Sequence, residues 1–576
     1  MADGTRILPS LLIVLALGSG LTAGAAGPMA ARAEAAPAPA CDTAGLSLPP
    51  GFCATIFADN LGHVRHMAAG PGGVIYANTW SGRYFVGRPP PPGGFLIALK
   101  DATGSGRAGQ ITRFGPGPAD GVAGGSGVAV YHGHVYAELN DRIVRYAIPA
   151  GGVPVGKAAE VVLSGMPLTG DHPMHPFVIS AKGEIFVDMG TATNACQPRN
   201  RRAGVAGQDP CTEKATRGGL WKYDADKLGQ VFSPNERYAT GIRNGEGLSF
   251  DRAGRLYATQ HGRDQLGTLW PALYPDLKRT TELPSEELLL IRPGADYGWP
   301  ECYYDGFQHK LVRAPEYGGD GGKAVGACAE RTGPVAAFPG HWAPNDLALY
   351  LGPMFPGPYQ GGAFIAFHGS WNRAPEPQAG FNVVFQPLQD GRPAGDYIVF
   401  ADGFAGGQRD PAKAAYRPTG LLVGQDGALY IADDVKGRIW KVVYRGPPGL
   451  KTLVAAAPAK VDAGPAARPV ATGPPPIPPG ATAEQVKAGD ALFHNRTCTG
   501  CHGADAKGTP LGPDLSAGTW LWGDGSLAAI RRTIDNGVPS PKQYRSAMPA
   551  LGGAQLTPGE LDAVAAYVWA VGHPSR

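Results

Sequence analysis

The residues with the clearest chemistry are two cysteines and a histidine near the end of the chain. Cys498 and Cys501 are separated by two residues, and His502 follows directly. This is the attachment signature for a c-type haem, in which each thiol adds to one vinyl group of the porphyrin and the imidazole binds the iron. We predict one covalent haem c at Cys498 and Cys501, with His502 on the iron. A redox or zinc-binding Cys-x-x-Cys with an incidental histidine is the alternative.

A six-coordinate electron-transfer haem needs a second axial ligand. Met548, which precedes Pro549, is the only methionine after Met354. A thioether ligand raises the reduction potential of the iron. The sequence therefore predicts Met548 as the distal ligand, with His494 as the alternative. Because such a haem only carries electrons, we expect an electron donor elsewhere in the chain.

Three earlier segments carry further reactive groups. Gly170–Pro173 sets His172 beside a carboxylate, Gly241–Asn244 contains an arginine and an asparagine, and Thr259–Asp264 contains a histidine, an arginine and an acid. Each segment alone is weak evidence, because a single histidine or arginine is more often structural. Their value depends on whether the fold brings them together.

The elements that must position these segments form a repeat between about residues 60 and 445. A glycine turn followed by an aromatic and β-branched strand occurs six times, at 72–77, 133–137, 182–187, 253–258, 361–366 and 426–431. Repeated four-stranded units that close on themselves form a β-propeller. We predict an all-β six-bladed β-propeller whose loops converge on the axis. The gap from Gln260 to Gly361 is expected to consist of long, site-building loops.

A small helical domain is predicted after the propeller. Ala483 to Asn495 has the pattern of a helix, and Thr557–Glu560 opens a final helix with a capping box and a proline in the first turn. Around the haem motif, these helices resemble an all-α class I cytochrome c. Ten prolines between Pro447 and Pro479 favour an extended, semi-rigid tether. The predicted domains are 34–446 for the propeller, 447–480 for the linker and 481–576 for the cytochrome c.

The start of the chain resembles a secretory signal peptide. Arg6 precedes an apolar run from Ile7 to Leu17, and Ala31–Ala33 supplies an Ala-x-Ala cleavage site. The run is shorter than the ~20 apolar residues of a membrane span, although a retained anchor is the alternative. We therefore predict a signal peptide over 1–33, cleaved near Ala33, and a periplasmic protein.

Cysteine usage agrees with an exported protein. The 576 residues carry a formal net charge of only +3, which gives no indication of nucleic acid or a membrane surface as a partner. Six cysteines besides the haem pair allow fifteen connectivities. Local pairing is the economical prediction, at 41–53, 196–211 and 302–328.

Six motifs together resemble the pyrroloquinoline quinone (PQQ)-dependent soluble sugar dehydrogenases, and within them the sorbosone or aldose dehydrogenase branch. These enzymes are six-bladed propellers that use PQQ and calcium. The resemblance covers most of residues 60–445. Its motifs are Tyr238–Asn244, His261–Asp264, Ser285–Leu288, Gly294–Pro300, His368–Arg373 and Arg417–Gly420.

The resemblance implies roles for residues around a substrate and a quinone. His172 matches the base that takes the proton from the anomeric hydroxyl while hydride passes to the quinone. Asp171 matches its acidic neighbour at the substrate. Arg243 matches the arginine beside the reactive quinone oxygens, where it can stabilise developing negative charge.

The resemblance also implies how PQQ and calcium would be bound. Asn244 matches a PQQ contact, and Arg417 would pair with a PQQ carboxylate, a task suited to a guanidinium. Gly262 and Arg263 would offer backbone carbonyls to calcium, an ion that prefers oxygen ligands.

The sequence departs from the family pattern near the expected PQQ carboxylates. Ala415 stands where soluble glucose dehydrogenases have a second arginine, and the lysine that they use on the fifth repeat is not evident. His368 and Arg373 are the candidates to replace them. We therefore do not transfer glucose from that family as the predicted substrate.

The expected function is oxidation of an aldose or sorbosone-like sugar at PQQ, with electrons passing to haem c. The expected partners are a small sugar and a downstream periplasmic or membrane respiratory acceptor. Contact with a membrane is expected only through that acceptor. The alternatives are a calcium-dependent propeller hydrolase of the sugar lactonase kind and a non-catalytic electron carrier. The hydrolase would leave the haem without a role.

Overall fold

The computed structural model describes most of the chain from Cys41 onward. The described ranges are 41–79, 91–120, 124–154, 156–411, 413–459, 476–495, 498–503, 506–508, 512–538, 541–544, 548, 550–553 and 556–573. The predicted signal peptide over 1–33 lies outside the described residues. Its prediction, and that of the periplasmic location, therefore stay predictions.

Six antiparallel sheets of four main strands form a β-propeller, as predicted. The chain begins with β1 (Phe52–Ala58), which belongs to the last blade. Blade 1 contains β2 (Val64–Ala69), β3 (Val74–Thr79), β4 (Leu96–Lys100) and β5 (Gln110–Phe114). Blade 2 contains β6 (Val128–Tyr131), β7 (His134–Leu139), β8 (Arg142–Ala147) and β9 (Glu160–Ser164). Blade 3 contains β10 (Phe177–Ile179), β11 (Glu184–Met189), β12 (Gly219–Asp224) and β14 (Arg237–Thr240), while β13 (Gln230–Val231) pairs in parallel with β9.

The second half of the propeller repeats this arrangement. Blade 4 contains β15 (Leu248–Phe250), β16 (Leu256–Gln260), β17 (Glu286–Leu290) and β20 (Ala336–Phe338), with a hairpin of β18 (Cys302–Asp305) and β19 (Lys310–Arg313) between its last two strands. Blade 5 contains β21 (Pro344–Leu349), β22 (Ala363–Phe367), β23 (Asn382–Gln386) and β26 (Ile398–Ala401), with a hairpin of β24 (Leu388–Gln389) and β25 (Arg392–Pro393). Blade 6 contains β27 (Pro418–Val423), β28 (Leu429–Asp433) and β29 (Ile439–Tyr444), and β1 completes it.

The ring closes through the N-terminal strand. β1 pairs antiparallel with β29, so Phe52 lies opposite Tyr444. The first strands of the blades, β2, β6, β10, β15, β21 and β27, contact one another in sequence around the axis, and β27 returns to β2. Closure of this kind leaves few strand edges exposed.

The six predicted repeats are the second strands of the six blades, β3, β7, β11, β16, β22 and β28. The expectation for the gap from Gln260 to Gly361 was only partly correct. That stretch contains loops and two short helices, α1 (Leu266–Leu269) and α2 (Leu277–Thr280), but also the rest of blade 4 and the first strand of blade 5. The last two strands of blade 4, β17 and β20, are short and separated by a hairpin. The repeat pattern is therefore not visible in this part of the sequence.

The core lies between neighbouring blades. The interface of blades 5 and 6 is aromatic: Phe52 lies 4.8 Å from Phe355 and 4.9 Å from Phe400, in edge-to-face geometry. Aromatic pairs favour this offset geometry and add to the free energy of apolar burial. Such packing fixes the angle between blades, and thereby the spacing of loops at the axis.

Three disulfides staple the loops, and all three confirm the local pairing. They join Cys41 to Cys53, Cys196 to Cys211 and Cys302 to Cys328. The first fixes the approach to β1, and the other two close loops beside blades 3 and 4. Cys498 and Cys501 are in none of these disulfides.

The C-terminal region is helical, as predicted. Its helices are α3 (Ala483–Asn495), α4 (Cys498–His502), α5 (Leu527–Asn536) and α6 (Pro558–Gly572). α6 begins with the predicted capping box between Thr557 and Glu560. α3 crosses α6 closely, because a Cβ at Gly489 would lie 1.9 Å from the Ala563 carbonyl oxygen. Phe493, Ile530 and Val564 form its core with their neighbours.

Short 3-10 turns complete the elements, at Pro71–Gly73, Pro118–Asp120, Thr212–Ala215, Pro234–Glu236, Pro315–Tyr317, Gly326–Glu330, Gly357–Tyr359 and Ala550–Gly553. Within the described ranges, no helix is both long and apolar enough to cross a membrane.

The predicted tether begins against the propeller. Residues 447–459 contain no helix or strand, and the Ala456 amide donates to the Val399 carbonyl of blade 5 over 2.8 Å. The predicted boundaries at 446 and 480 stay predictions.

Candidate active site and haem pocket

The predicted site residues converge on one face of the propeller axis. In an antiparallel blade, the start of the first strand and the end of the second lie at the same edge. His172 precedes β10, Arg243 precedes β15 and Arg417 precedes β27, whereas Gly262 follows β16 and His368 follows β22. The fold therefore carries all five to one face, where their loops meet.

His172 is buried and held in one tautomer. Its Nδ1 lies 2.9 Å from the Thr191 carbonyl oxygen and 3.1 Å from Thr191 Oγ1. Since a carbonyl can only accept, Nδ1 carries the proton in the neutral ring and Nε2 is the basic nitrogen. Burial lowers the pKa of His172 well below its usual value, and the charge of Arg243 lowers it further. The ring is therefore neutral and able to accept a proton at physiological pH.

Asp264 is the centre of the site. Its Oδ2 accepts from Arg243 Nη2 over 2.8 Å and from Arg201 Nη2 over 2.7 Å. Its Oδ1 accepts from Asn372 Nδ2 over 2.8 Å. Burial alone would raise the pKa of Asp264, but the two guanidinium groups hold it well below its usual range. Asp264 therefore stays ionised and fixes two arginines.

Asp171 and His172 are adjacent in sequence but face different partners. Asp171 Oδ2 accepts from Asn200 Nδ2 over 3.0 Å and from Arg201 Nη2 over 3.1 Å. Arg201 thereby bridges Asp264 and Asp171, the acid that is predicted to lie at the substrate. It comes from the loop that the Cys196–Cys211 disulfide closes.

Arg243 and Asn244 offer polar atoms suited to a cofactor. The Nε of Arg243 and the Oδ1 of Asn244 are buried and meet no hydrogen-bonding partner among the described residues. A Cβ at Gly190 would lie 2.6 Å from the His172 Cβ and 3.0 Å from Asn244 Oδ1, so glycine is needed for this close approach. A buried polar group usually has a partner. A polar ligand such as PQQ fits here.

The expected calcium ligands are the backbone carbonyls of Gly262 and Arg263. The Gly262 carbonyl accepts from Arg243 Nη1 over 2.9 Å, which uses one of its two lone pairs. The Arg263 side chain turns away and pairs with the buried Glu316, Nη1 to Oε1 over 2.7 Å. In the described part of the chain, no three His, Cys, Asp or Glu residues are grouped to hold a metal ion. Calcium therefore stays a prediction.

Arg417 and His368 form a second cluster around Asp434. Arg417 donates to the backbone carbonyls of His368 and Gly369 over 2.9 and 2.7 Å. His368 Nε2 lies 2.8 Å from Asp434 Oδ1, and burial lowers its pKa to about 4. Burial also lowers the pKa of Arg417 to about 10.

His261 connects the two clusters. Its Nε2 lies 3.1 Å from the Pro344 carbonyl oxygen. Burial lowers the pKa of His261 to about 3, and the charges of Arg243 and, more weakly, Arg65 lower it too. Arg65 pairs with Asp434 over 2.8 Å, so the clusters are neighbours.

Arg373, by contrast, is not brought to the site. Its guanidinium donates to the carbonyls of Thr281 and Gly340 over 2.7 and 2.8 Å and pairs with Glu282. These contacts tie the loop after β22 to the loop after α2. These contacts give Arg373 a structural role, and its role as a replacement PQQ ligand stays a prediction.

The cytochrome residues line one apolar cavity. Cys498, Cys501, His502 and Met548 all face it, among side chains that include Phe493, Leu515, Trp520, Ile530, Val564 and Val568. His502 Nδ1 lies 3.0 Å from the Pro513 carbonyl oxygen, so Nδ1 carries the proton and Nε2 is the nitrogen for the iron. The described residues fit a haem c.

Met548, the predicted axial ligand, is held at the same cavity. Met548 and Val538 exchange two backbone hydrogen bonds, of 2.8 and 3.1 Å, which fixes Met548 at the cavity. His494, the alternative ligand, places Nδ1 2.9 Å from the Asp490 carbonyl of its own helix. It is not among the residues that line the cavity.

Comparison with known families agrees with this two-part geometry. The TrAA12-like family model matches residues 124–445, and a cytochrome c model matches residues 486–572. The first match covers more than half of the chain. The chain belongs to the TrAA12-like family. The expected membership of a PQQ sugar dehydrogenase family, with a C-terminal cytochrome c, is confirmed.

Relatives resemble one or the other part of this TrAA12-like protein. A PQQ-dependent pyranose dehydrogenase of Coprinopsis cinerea is 26% identical over 237 residues, covering 36% of this chain and 31% of that protein. The cbb3-type cytochrome c oxidase subunit FixP of Rhizobium etli is 40% identical over 85 residues, covering 14% of this chain and 29% of that protein. The chain thus spans about a third of the length of these relatives.

Solved structures resemble the propeller in fold. The family AA12 enzyme of Trichoderma reesei, in its iodide structure, has a TM-score of 0.55 at 16% identity, covering 70% of this chain and 99% of that one. The holo PQQ domain of the Coprinopsis cinerea pyranose dehydrogenase has a TM-score of 0.53 at 17% identity, covering 69% and 97%.

No role was predicted from the sequence for two residues of this site, Asp264 and Arg201. Asp264 stood inside a motif, and Arg201 lies about thirty residues after His172 in a loop without a motif. The nearest sequence signal for Arg201 was the disulfide loop itself, which holds an arginine-rich segment close to the predicted base.

Proposed function

We propose that this TrAA12-like protein oxidises an aldose or sorbosone-like sugar at PQQ and passes the electrons to its own haem c. The observation that carries this is the fixed tautomer of the buried His172, which leaves Nε2 as the basic nitrogen of a ring on which the charge of Arg243 acts. A hydroxyl-bearing substrate requires such a base, since removal of the hydroxyl proton must accompany loss of hydride from carbon.

The chain's own residues supply acid–base and electrostatic chemistry. His172 Nε2 takes the proton from the anomeric hydroxyl. Arg243, fixed by Asp264, holds positive charge next to the site, where developing negative charge is stabilised. Because Asp264 remains ionised, the guanidinium needs no reorganisation during the reaction. PQQ, when bound, supplies a two-electron acceptor for the hydride.

Arg243, Asn244 and Arg417 are the residues that would hold PQQ. The first two supply the buried polar atoms described above, and the third supplies a cation for a carboxylate. Gly262 and Arg263 would hold calcium through backbone carbonyls, and no step of the proposal depends on the ion.

Haem c, when bound, supplies a one-electron carrier that His502 and Met548 would ligate. Its oxidant would be a periplasmic or membrane respiratory acceptor, which the protein reaches after export and cleavage near Ala33. A propeller hydrolase would leave both the haem and Arg243 without a role. A non-catalytic electron carrier would not need the base.

Reconstitution tests the proposal. The apoprotein is given PQQ and Ca²⁺ and then a panel of aldoses, sorbosone and alcohols, with a dye as acceptor. Oxidation of a sugar, dependent on PQQ, is expected. A calcium-dependent release of acid from lactones without dye reduction would support the hydrolase, and inactivity towards every substrate would support the carrier.

The haem provides the second measurement. Sugar added anaerobically should reduce the haem at a rate independent of protein concentration, because the covalent connection makes the transfer intramolecular. A rate that rises in proportion to protein concentration would contradict the transfer within one chain.

A further inference from the structure

The cytochrome part lies against loops of the propeller at two places. Thr499, inside the haem-attachment motif, lines a crevice together with Leu266, Trp371 and Asn372 of the propeller. Ala550, Leu551, Leu556, Thr557 and Glu560 line a second cavity together with Arg202, Ala203 and Pro271. We use the term docking surface for the propeller residues Arg202, Ala203, Leu266, Pro271 and Trp371.

The contacting segments of the cytochrome flank its haem cavity. Thr499 stands between the two haem-attaching cysteines, and Ala550 follows the predicted distal ligand Met548 by two residues. The cytochrome thus faces the propeller with the side from which both of its iron-ligand segments emerge.

The side chain of Arg201 connects the docking surface to the active site. The Arg201 guanidinium lies 5.9 Å from the centre of the Trp371 ring and also binds Asp264. Asn372, next to Trp371, binds the same carboxylate. Asp264, Arg201 and Trp371 are therefore linked by contacts, and Trp371 lines the same crevice as Thr499.

A disulfide and hydrogen bonds within the propeller hold the loop that carries Arg202 and Ala203. The Cys196–Cys211 disulfide closes the loop that carries Arg202 and Ala203. Gln197 Nε2 donates to the Arg202 carbonyl over 2.7 Å, and the Gly204 amide donates to the Leu269 carbonyl of α1 over 3.1 Å. A preformed surface lowers the entropy cost of association.

We propose that the docking surface is the port through which electrons leave the propeller, and that its occupant is the cytochrome domain of the same chain. This rests on the proposed function. The sugar is the reductant: it loses two electrons and two protons, of which His172 takes the hydroxyl proton. The electrons would pass one at a time to the single haem iron, which the downstream acceptor reoxidises after each transfer. Arg201 lies between Asp264 of the active site and Trp371 of the docking surface.

Arg202 and Glu560 give the interface complementary charge, since they line the same cavity. The loop hydrogen bonds of Arg202 are made by its backbone, as donor to Gln197 Oε1 over 3.2 Å and as acceptor from Gln197 Nε2. Its side chain can therefore be exchanged without loss of those bonds.

The test compares Arg202→Glu with Arg202→Lys in the full-length holoprotein. Like charges across an interface oppose association, so R202E should slow anaerobic haem reduction by sugar by about tenfold. R202K should remain near the wild-type rate. Both should keep the wild-type kcat/KM for sugar with a small dye, which does not use the interface.

Amide hydrogen exchange gives a readout that needs no sugar and no PQQ. Residues 198–206 should exchange more slowly in wild type and R202K than in R202E. If R202E does not fold, Ala550→Arg against Ala550→Glu repeats the test from the cytochrome side. Unchanged haem reduction and unchanged exchange in a folded R202E protein would overturn the port. Wild type that oxidises no sugar with dye would overturn the proposed function instead, while the exchange experiment would still decide the interface.

Discussion

Arg243 donates from Nη2 to Asp264 Oδ2 over 2.8 Å, with both side chains buried at the propeller axis. The same guanidinium reaches the Gly262 carbonyl and Asn194. A buried cation is stable only when it is paired and hydrogen-bonded. The pair therefore fixes positive charge beside His172 with no need for rearrangement when substrate binds.

His172→Ala should leave the fold, PQQ binding and haem spectra unchanged while nearly abolishing sugar oxidation. General-base catalysis contributes roughly 10²–10⁴ in rate, and Nε2 is the basic nitrogen. The measurement is kcat for sugar with dye. Thr191→Val is the control, because it removes the Oγ1 contact but keeps the backbone carbonyl that fixes the tautomer, so near wild-type activity is expected. Activity of H172A within threefold of wild type would remove His172 from the mechanism.

Arg201→Ala should lower kcat/KM for sugar by about tenfold or more, because Asp171 and Asp264 lose a shared partner, and breaking a buried pair leaves a charge uncompensated. Arg199, exposed on the same disulfide-closed loop, supplies the matched control Arg199→Ala, for which no change is expected. Equal effects of the two substitutions would show that only the net charge of the loop matters.

Asp264→Asn should destabilise the propeller, and the effect should depend on pH in one direction. The folded pKa of Asp264 lies below its usual value of about 3.9. The ionised group therefore contributes stability above that pH, and this contribution declines as pH falls through the lower, folded pKa.

The gap between the unfolding temperatures of wild type and D264N should accordingly be constant above about pH 5 and narrow at lower pH. Thermal unfolding followed by the circular dichroism of the β-sheets measures both unfolding temperatures. A gap that widens on acidification would mean that Asp264 is protonated in the native protein.

Met548→Ala should lower the haem reduction potential and open the iron to external ligands such as cyanide, with the haem still covalently attached. Loss of a thioether ligand removes the group that raises the potential. Spectroelectrochemistry and cyanide titration measure both effects, and Met354→Leu, in the propeller, is the control. An unchanged spectrum and potential would assign the distal position to another residue.

The sequence by itself determined the features that are local along the chain. Spacing within five residues defines the haem motif, the glycine turns mark the second strand of each blade, and the three disulfides join cysteines 12, 15 and 26 residues apart. The capping box at Thr557 begins α6 as predicted. Each of these depends on neighbouring residues, so pattern alone was sufficient. The family motifs predicted that His172, Arg243 and Arg417 belong to one site, and the fold carries their loops to one face of the propeller.

Only the tertiary structure decided which distant side chains meet. Arg201 binds a carboxylate 63 positions away, β1 closes a blade with β29 near the other end of the propeller, and Arg373 clamps a loop instead of reaching the site. Thr499 of the cytochrome part lines the same crevice as Trp371 of the propeller. No local period encodes such contacts, because they arise from blade packing angles and loop paths that many residues set together.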